Sequence, residues 1–290
     1  TAYKLLGEEK YDELLDLYKK MKNAPREEFL HEASKIEGIY VPSMYDVEYN
    51  SDGTIKCFTT KYPDVPSVVK RQVNIDLTDS VYPEKPVVPF IKATQDRVVL
   101  EIQRGCIRGC RFCQAGMIYR PNREKDVEKL KDLAHKMIKA TGHEEISLSS
   151  LSSSDYSQLD ELINFLIEEC KAKNVNISLP SLRIDAFSLD IMSKVQDVKK
   201  SSLTFAPEAG SQRLRDVINK NVEKDDLLRA CRVAFEGGKS QVKLYFMQGL
   251  PTETYEDLDG IAALADKVAE SYYENPNRNR SRQVQVTISV

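Results

Sequence analysis

The sequence predicts an α/β fold in which six parallel strands alternate with helices, as a three-quarter barrel or as an open sheet. Two observations support this prediction. From about residue 97 onward, short β-branched segments alternate with longer segments of helical periodicity, which is typical of parallel strands joined by helical crossovers. The six strand–helix units are also too few for a complete eight-stranded barrel.

The first 95 residues have a different texture. Residues 1–35 predict two helices, because apolar residues recur at helical spacing on both sides of Pro25. Two short strands around a Ser-Asp-Gly turn follow, and then a stretch rich in proline and valine without helical period. We therefore expect a helical segment over residues 1–45 and a connector of strands and irregular structure over residues 46–95.

Residues 96–290 carry the regular alternation. The predicted strands are 98–104, 145–150, 175–180, 201–206, 241–248 and 283–290. The predicted helices are 123–140, 158–173, 189–195, 211–219, 223–236 and 255–272. The last strand is apolar and has no turn or cap after it, so we expect this region to continue in a longer chain.

The composition is typical of a globular protein with a core, since 41% of the 290 residues are hydrophobic and 30% are charged. The net charge of −3 lacks the basic surplus that is usual for nucleic-acid binding; it does not indicate such a partner and does not exclude one. No apolar run is long enough to cross a bilayer, and the N-terminus does not resemble a secretory signal. We expect a cytoplasmic protein without a membrane partner.

Three of the six cysteines, Cys106, Cys110 and Cys113, lie within eight residues, in the loop after the first strand of the alternating region. In parallel α/β folds, the loops at the carboxyl ends of the strands build the active site. Thiolates are the usual ligands of iron–sulfur clusters, and Gly105 and Gly109 supply the backbone freedom that such a loop needs. The sequence therefore predicts a cluster site here.

This cysteine triad has no fourth ligand nearby. A structural zinc site takes four protein ligands, and a bacterial ferredoxin run ends in a fourth cysteine before proline. Three ligands on a four-iron cube leave one iron open. A non-catalytic iron–sulfur or zinc-binding module with a distant ligand such as Cys170 is the alternative, although we expect Cys170 and Cys231 to be ordinary packed residues. Three arginines would offset the negative charge of the thiolates: Arg104, Arg108 and Arg111.

The spacing C-x3-C-x-aromatic-C, with Phe112 as the aromatic residue, resembles the signature of the radical S-adenosylmethionine (SAM) superfamily. The segments RGCIRGCRFCQAGMIYRPNREK and LTFAPEAGSQRLRDVINK are similar to an uncharacterised bacterial family of radical SAM proteins that carry an N-terminal module resembling a cobalamin-binding domain. The resemblance covers residues 96–290 and implies the partial TIM-type (β/α)6 barrel of the radical SAM core. Residues 1–45 would be the tail of the N-terminal module, but they contain no D-x-H-x-x-G cobalamin motif.

This resemblance implies an enzyme that cleaves SAM reductively at a [4Fe–4S] cluster, giving a 5′-deoxyadenosyl radical that abstracts hydrogen from an unknown substrate. An electron donor such as flavodoxin or ferredoxin is implied as a partner. The layout around the GLPTET segment also resembles the methylthiotransferase branch, which modifies tRNA or a ribosomal protein. A cobalamin-binding neighbour would instead favour methyl transfer or ring rearrangement.

The resemblance further implies roles for individual residues. Cys106, Cys110 and Cys113 would bind three irons, SAM would bind the fourth, and Phe112 would lie against the adenine. The other candidates follow the predicted strands: Ser149, Ser150 and Ser152 in place of a Gly-Gly-Glu-like motif for the SAM amino group, Arg183 for its carboxylate, Glu208 for its ribose, and Gly249 near the adenine. The alternative interpretations are surface ion pairs for Arg183 and Glu208, a helix-capping turn with Thr252 as N-cap for the Gly249 segment, and a helix cap for the Ala209-Gly210-Ser211 segment.

Overall fold

In the computed structural model, the residues described are 8–91, 93–178, 203–276, 278 and 280–290. The chain divides into two compact units, residues 1–75 and residues 76–290, and each is described by itself. Arg183 and the predicted helix over 189–195 lie outside the described residues. The division into 1–45, 46–95 and 96–290 remains a prediction.

The smaller unit contains two helices and a hairpin, as predicted. Its elements are α1 (Glu8–Met21), α2 (Arg26–Ser34), β1 (Tyr45–Tyr49) and β2 (Ile55–Thr60), with β1 and β2 antiparallel. The turn forms because the Asp52 carboxylate accepts hydrogen bonds from the backbone N–H and the hydroxyl of Thr54. A small core of five residues lies beneath: Ile39, Val41, Met44, Tyr45 and Val65.

The larger unit contains the strand–helix alternation. Its strands are β3 (Val98–Glu101), β4 (Gln103–Arg104), β5 (Arg123–Glu124), β6 (Glu145–Ser149), β7 (Asn176–Ser178), β8 (Leu203–Glu208), β9 (Gln241–Phe246) and β10 (Gln285–Ser289). Its helices are α3 (Gln114–Ile118), α4 (Val127–Thr141), α5 (Leu159–Lys173), α6 (Gln212–Val217), α7 (Lys224–Glu236) and α8 (Tyr255–Tyr273).

Six of these strands form two parallel three-stranded sheets, one in the order β3-β6-β7 and one in the order β10-β9-β8. Each of the six strands predicted from the sequence is present, within a few residues of its predicted ends. The segment between β7 and β8, residues 179–202, lies outside the described residues. The short pair β4 and β5 is antiparallel.

Each parallel sheet is covered by amphipathic helices. On the first sheet, α4 and α5 bury leucines such as Leu130 and Leu162 against strand residues such as Leu100 and Leu148. On the second, α7 and α8 enclose a separate core around Leu244. Burial of each such side chain contributes roughly 1.5–3 kcal/mol relative to exposure. No helix in the described ranges is long and apolar enough to span a bilayer.

The helix predicted to begin at Arg123 begins at Val127 instead. Asp126 is its N-cap, and its carboxylate accepts hydrogen bonds from the backbone N–H groups of Glu128 and Lys129. Arg123 and Glu124 form β5, which pairs with β4. Arg123 and Glu124 favour a helix by intrinsic propensity, but tertiary pairing with β4 places them in a strand.

Candidate functional site

The cysteine triad lies on the loop between β4 and α3, at the carboxyl end of the first parallel strand. Gly105 opens the loop with φ +91°, a conformation that residues with a Cβ rarely adopt. A Cβ there would lie 2.7 Å from the carbonyl oxygens of Tyr119 and Pro121. Only glycine fits here, and its backbone conformation turns the loop sharply away from β4.

The three cysteines are held by the backbone of the loop itself. Cys110 is buried, and Cys106 and Cys113 are partly buried. The Arg108 N–H donates to the Cys106 Sγ at 3.4 Å, and the Gly116 N–H donates to the Cys113 Sγ at 3.3 Å. Hydrogen bonds of this kind stabilise a thiolate more than a thiol, so the donor set fits a bound iron–sulfur cluster.

The same cysteines do not form a site for a single ion. Within the described part of the chain, no three His, Cys, Asp or Glu side chains are arranged to hold one metal ion. A zinc site needs ligands that converge to about 2.3 Å from one centre. In a cluster each thiolate binds its own iron, so the sulfurs need not converge.

Two of the three arginines near the triad already have a carboxylate partner. Arg104 donates to both carboxylate oxygens of Glu101, at 2.8 and 2.9 Å. Arg108 does the same to Asp155, at 2.9 and 2.5 Å. Arg111 donates through its guanidinium to a backbone carbonyl, that of Val217. The positive charges of Arg104 and Arg108 are therefore already balanced by carboxylates, so they offset the negative charge of a cluster less than expected. Their visible role is to position the loop.

On one side, the predicted serines lie at the end of β6 and in the segment after it, which Arg108 of the triad loop contacts through Asp155. Ser149 accepts a hydrogen bond from the Ile102 N–H through its backbone carbonyl. The buried Ser152 hydroxyl donates to Asp155 at 2.7 Å, and Ser150 pairs with Ser153 at 2.9 Å. These hydroxyls are engaged within the segment, and their contact with the SAM amino group remains a prediction.

A buried amide lies beside these serines. Gln103, on β4, is 2% exposed, and its side-chain N–H donates to the Ser152 carbonyl. Its Oε1 is buried and has no hydrogen-bond partner among the described residues. A buried acceptor without a donor is costly, so this oxygen suits a donor that enters the site.

On the other side, Glu208 ends β8 in an unusual backbone conformation. The pairing of β8 with β9 shifts register between Phe205 and Glu208, and Glu208 has φ +69°. Irregularities of this kind re-aim a side chain and recur at functional sites. The Glu208 carboxylate accepts a hydrogen bond from the Lys220 Nζ at 3.0 Å, and its backbone carbonyl accepts one from the Met247 N–H.

The segment after α6 connects this side to the triad loop. The Arg111 N–H donates to the Ile218 carbonyl at 2.9 Å, and the Asn219 side-chain amide donates to the Gly109 carbonyl at 2.8 Å. The Lys220 Nζ lies 5.8 Å from the centroid of the Phe112 ring. The structure therefore brings together Phe112 and Glu208, two residues that the sequence analysis assigned to one cofactor.

The turn at Gly249 is held by the start of the next helix. Gly249 has φ +77°, and its N–H donates to the Glu253 carboxylate at 2.7 Å. The N-cap of α8 is Thr254, which forms a capping box with Asp257, so the predicted cap at Thr252 is wrong. Thr252 has φ +63°, outside the extended conformation typical of an N-cap residue, and its hydroxyl and carbonyl accept hydrogen bonds from Arg213 instead.

Asp257 fixes this turn to the segment after β8. Hydrogen bonds from Ser211 and Arg213 hold its pKa well below the ordinary range of a carboxyl group. Gly210 also packs directly on the α8 backbone, where a Cβ would lie 2.3 Å from the Ile261 nitrogen. The predicted role of Ser211 as a helix cap is confirmed, since it accepts from the Leu214 N–H.

The sequence analysis missed four residues of this site: Gln103, Asp155, Asn219 and Lys220. The contacts of Gln103, Asp155 and Asn219 join segments about 50 to 110 positions apart, and Lys220 contacts both Glu208 and the distant Phe112; periodicity does not reveal such contacts. Asn219 and Asn221 both have positive φ, and asparagine is a residue that tolerates this conformation. The run Asn-Lys-Asn was therefore the one signal that pointed to a sharp turn here.

Fold and site together define a class of protein: an incomplete barrel of parallel strands with a three-cysteine loop at the mouth of its first strand. The model of the radical SAM superfamily matches residues 100–265. The chain belongs to the radical SAM superfamily. The enzymes of this superfamily use a [4Fe–4S] cluster and SAM, and the two parallel sheets are those of its partial (β/α)6 barrel.

The curated relatives are longer than this chain. An uncharacterized protein of Methanocaldococcus jannaschii is 37% identical over 227 residues, which are 75% of this chain and 49% of that protein. The threonylcarbamoyladenosine tRNA methylthiotransferase MtaB of Aquifex aeolicus is 24% identical over 186 residues, 61% of this chain and 44% of that protein. The chain spans half or less of the length of these two relatives.

Two solved structures share the fold. The radical SAM methyltransferase TsrM of Kitasatospora setae, with cobalamin and a [4Fe–4S] cluster bound, has a TM-score of 0.56 at 13% identity, covering 89% of this chain and 48% of its own. The cobalamin-dependent SAM radical enzyme OxsB, with aqua-cobalamin and SAM bound, has a TM-score of 0.55 at 14% identity, covering 87% and 34%. The likeness is one of architecture.

Proposed function

We propose that this chain holds a [4Fe–4S] cluster on Cys106, Cys110 and Cys113 and cleaves SAM reductively to start radical chemistry on a substrate. The observation that supports it best is the triad loop: two of its three sulfurs accept backbone hydrogen bonds, and its two flanks carry the residues expected around SAM. When bound, the cluster would supply the electron that breaks the carbon–sulfur bond of SAM, leaving methionine and a 5′-deoxyadenosyl radical.

The residues of the chain position SAM and shield the reaction. Glu208 offers a carboxylate that can accept hydrogen bonds from two neighbouring ribose hydroxyls. Phe112 presents an aromatic face for the adenine, and Gly249 leaves open backbone beside it, since no atom lies within 4 Å of a Cβ placed there. Ser150, Ser152 and the buried Gln103 oxygen lie on the opposite flank, where polar groups of the methionine part would bind.

An external donor must supply the electron, so we propose a flavodoxin- or ferredoxin-type partner. The triad loop and the short helix α3 after it are accessible to such a partner, because Ile107 on the loop is 61% exposed and Met117 on α3 is 53% exposed. Exposed apolar side chains next to a redox centre suit a transient docking contact.

The test is anaerobic reconstitution of the chain with iron and sulfide, followed by reduction with dithionite in the presence of SAM. The proposal expects 5′-deoxyadenosine and methionine in equal amounts, detected by chromatography. Protein that carries a full cluster but yields neither product would contradict it. Zinc at one per chain, without iron or sulfide, would support the alternative of a non-catalytic metal module.

A methylthiotransferase activity on RNA or protein is a second candidate, favoured by the likeness to MtaB. Such an enzyme is expected to use a second cluster. Among the described residues of the larger unit, the two cysteines outside the triad, Cys170 and Cys231, are buried in separate cores, so they do not form a second triad there. Iron analysis of the longer protein decides, since about eight irons rather than about four would favour this candidate.

A further inference from the structure

We propose that Lys220 is a positioning residue that holds Glu208 and the triad loop in one arrangement, so that SAM affinity depends on its charge. The inference rests on the proposed function. It goes beyond that function, because it proposes that a residue outside the cysteine motif couples Glu208 to the triad loop.

The first observation is the ion pair. The Lys220 and Glu208 side chains are only 12% and 15% exposed, and their charged atoms are 3.0 Å apart. A partly buried carboxylate in a strained backbone conformation has few alternative positions. The ammonium occupies one of its lone pairs and leaves other acceptor sites for hydroxyl donors. Lys220 therefore fixes the direction in which Glu208 can bind.

The second observation is the contact with the triad loop. The Lys220 Nζ lies 5.8 Å from the Phe112 ring centroid, within the range of a cation–π interaction. Phe112 is 37% exposed, so few apolar side chains pack against the solvent-facing side of its ring. One ammonium thus contacts both the aromatic face expected under adenine and the carboxylate expected at ribose.

The third observation is the rigid backbone beneath Lys220. Its N–H donates to the Arg215 carbonyl at 2.9 Å, and the residues on either side have positive φ. The buried Arg215 guanidinium donates to the carbonyls of Ala209 and Val222. Ala209 directly follows Glu208, so one guanidinium ties the end of β8 to the turn that carries Lys220.

The experiment measures SAM binding to the reconstituted chain with its cluster oxidised, so that SAM is not consumed. Equilibrium dialysis compares wild type, Lys220→Met and Lys220→Arg, with Lys224→Met as an exposed control on α7. We expect binding about 10-fold weaker for Lys220→Met, the effect of losing a hydrogen bond between charged groups. Lys220→Arg, which keeps the charge, should stay within about 3-fold.

A second readout separates positioning from mere structural support. The same proteins are tested with a SAM analogue that lacks one ribose hydroxyl. Wild type and Lys220→Arg should prefer SAM to the analogue, and Lys220→Met should lose this preference. In a Glu208→Gln background, Lys220→Met should change SAM affinity less than about 2-fold, because coupled residues are not additive.

Several results would overturn the inference. Wild-type affinity in Lys220→Met would do so, as would equal losses in the methionine and arginine variants with the hydroxyl preference intact.

Iron content is measured first. If Lys220→Met loses the cluster while Lys220→Arg keeps it, the link to the triad loop is supported; loss in both contradicts it. Failure of the cluster-loaded wild type to bind SAM would instead reject the proposed function, and this inference with it.

Discussion

The two groups of cysteines in the larger unit show how environment decides what a thiol can do. Cys106, Cys110 and Cys113 lie on a loop at the mouth of the barrel, where backbone N–H groups point at two of the sulfurs. Cys170 and Cys231 are fully buried among apolar side chains of α5 and α7. The first group can bind iron, whereas the second group packs in the hydrophobic cores.

Burial explains the inertness of the second group. It raises the pKa of Cys170 to about 11 and that of Cys231 to about 12, because a thiolate is poorly solvated in an apolar core. Only a thiolate binds iron well. A distant zinc or iron ligand at Cys170, the alternative that the sequence left open, would therefore require the core around α5 to open.

The largest expected effect is the loss of the cluster. Replacing any triad cysteine by alanine should reduce the iron retained after reconstitution, normally about four per chain, by at least about half, and abolish 5′-deoxyadenosine formation. Cys231→Ala is the matched control. It should keep iron and cost roughly 1 kcal/mol of unfolding free energy through the small cavity it leaves. Equal iron loss in the control would break the distinction between the two groups.

The next effect is at the entry to the triad loop. Gly105→Ala should destabilise the protein by roughly 3 kcal/mol and prevent cluster loading, since both the positive φ and the two nearby carbonyl oxygens oppose a Cβ. Gly142→Ala is the control, because Gly142 has φ +68° but open space around it. It should cost about 1 kcal/mol. Chemical denaturation and iron analysis check both, and similar values would contradict the steric argument.

A smaller effect is expected on the lifetime of the cluster. Asn219→Ala removes the hydrogen bond to the Gly109 carbonyl and should cost about 1 kcal/mol, which corresponds to roughly five-fold faster loss of iron to a chelator. Asn221→Ala is matched, since Asn221 also has positive φ but is exposed. Indistinguishable rates of iron loss in the two variants would show that the contact does not hold the loop.

The remaining effect is a pH dependence that appears only in alkaline solution. Because the folded-state pKa of Cys231 lies above the ordinary value of about 9, its burial stabilises the fold below pH 9, and that contribution is lost as pH rises toward about 12. Cys231→Ala should therefore show a shallower loss of stability over this range in urea titrations. An unchanged slope would indicate that the thiol is less shielded than the structure shows.

Much of the architecture could be predicted from the sequence because it is recorded locally. The alternation of β-branched and amphipathic segments gave all six parallel strands, and the triad spacing placed the cysteines at the mouth of the first one. Ser211 was recognisable as a cap from its residue type. These features depend on neighbours in the chain, which is what periodicity and propensity report.

The rest depends on contacts that the chain order does not record. Arg123 and Glu124 look helical and pair as a strand because β4 lies beside them. The Asn219 contact with Gly109 joins residues 110 positions apart, and the Lys220 contact with Glu208 needs the turn after α6 to fold back on the end of β8. The sequence identified Glu208 as a candidate, but the residue that aims it became visible only in the structure.

The proposed function requires that the three cysteines hold a cluster with one iron left open for SAM. The most direct test is electron paramagnetic resonance of the reduced, reconstituted protein before and after SAM is added. We predict a [4Fe–4S] signal whose g-values shift on addition of SAM and do not shift when methionine alone is added. A cluster signal that SAM leaves unchanged would mean that all four irons are already ligated, which contradicts the claim.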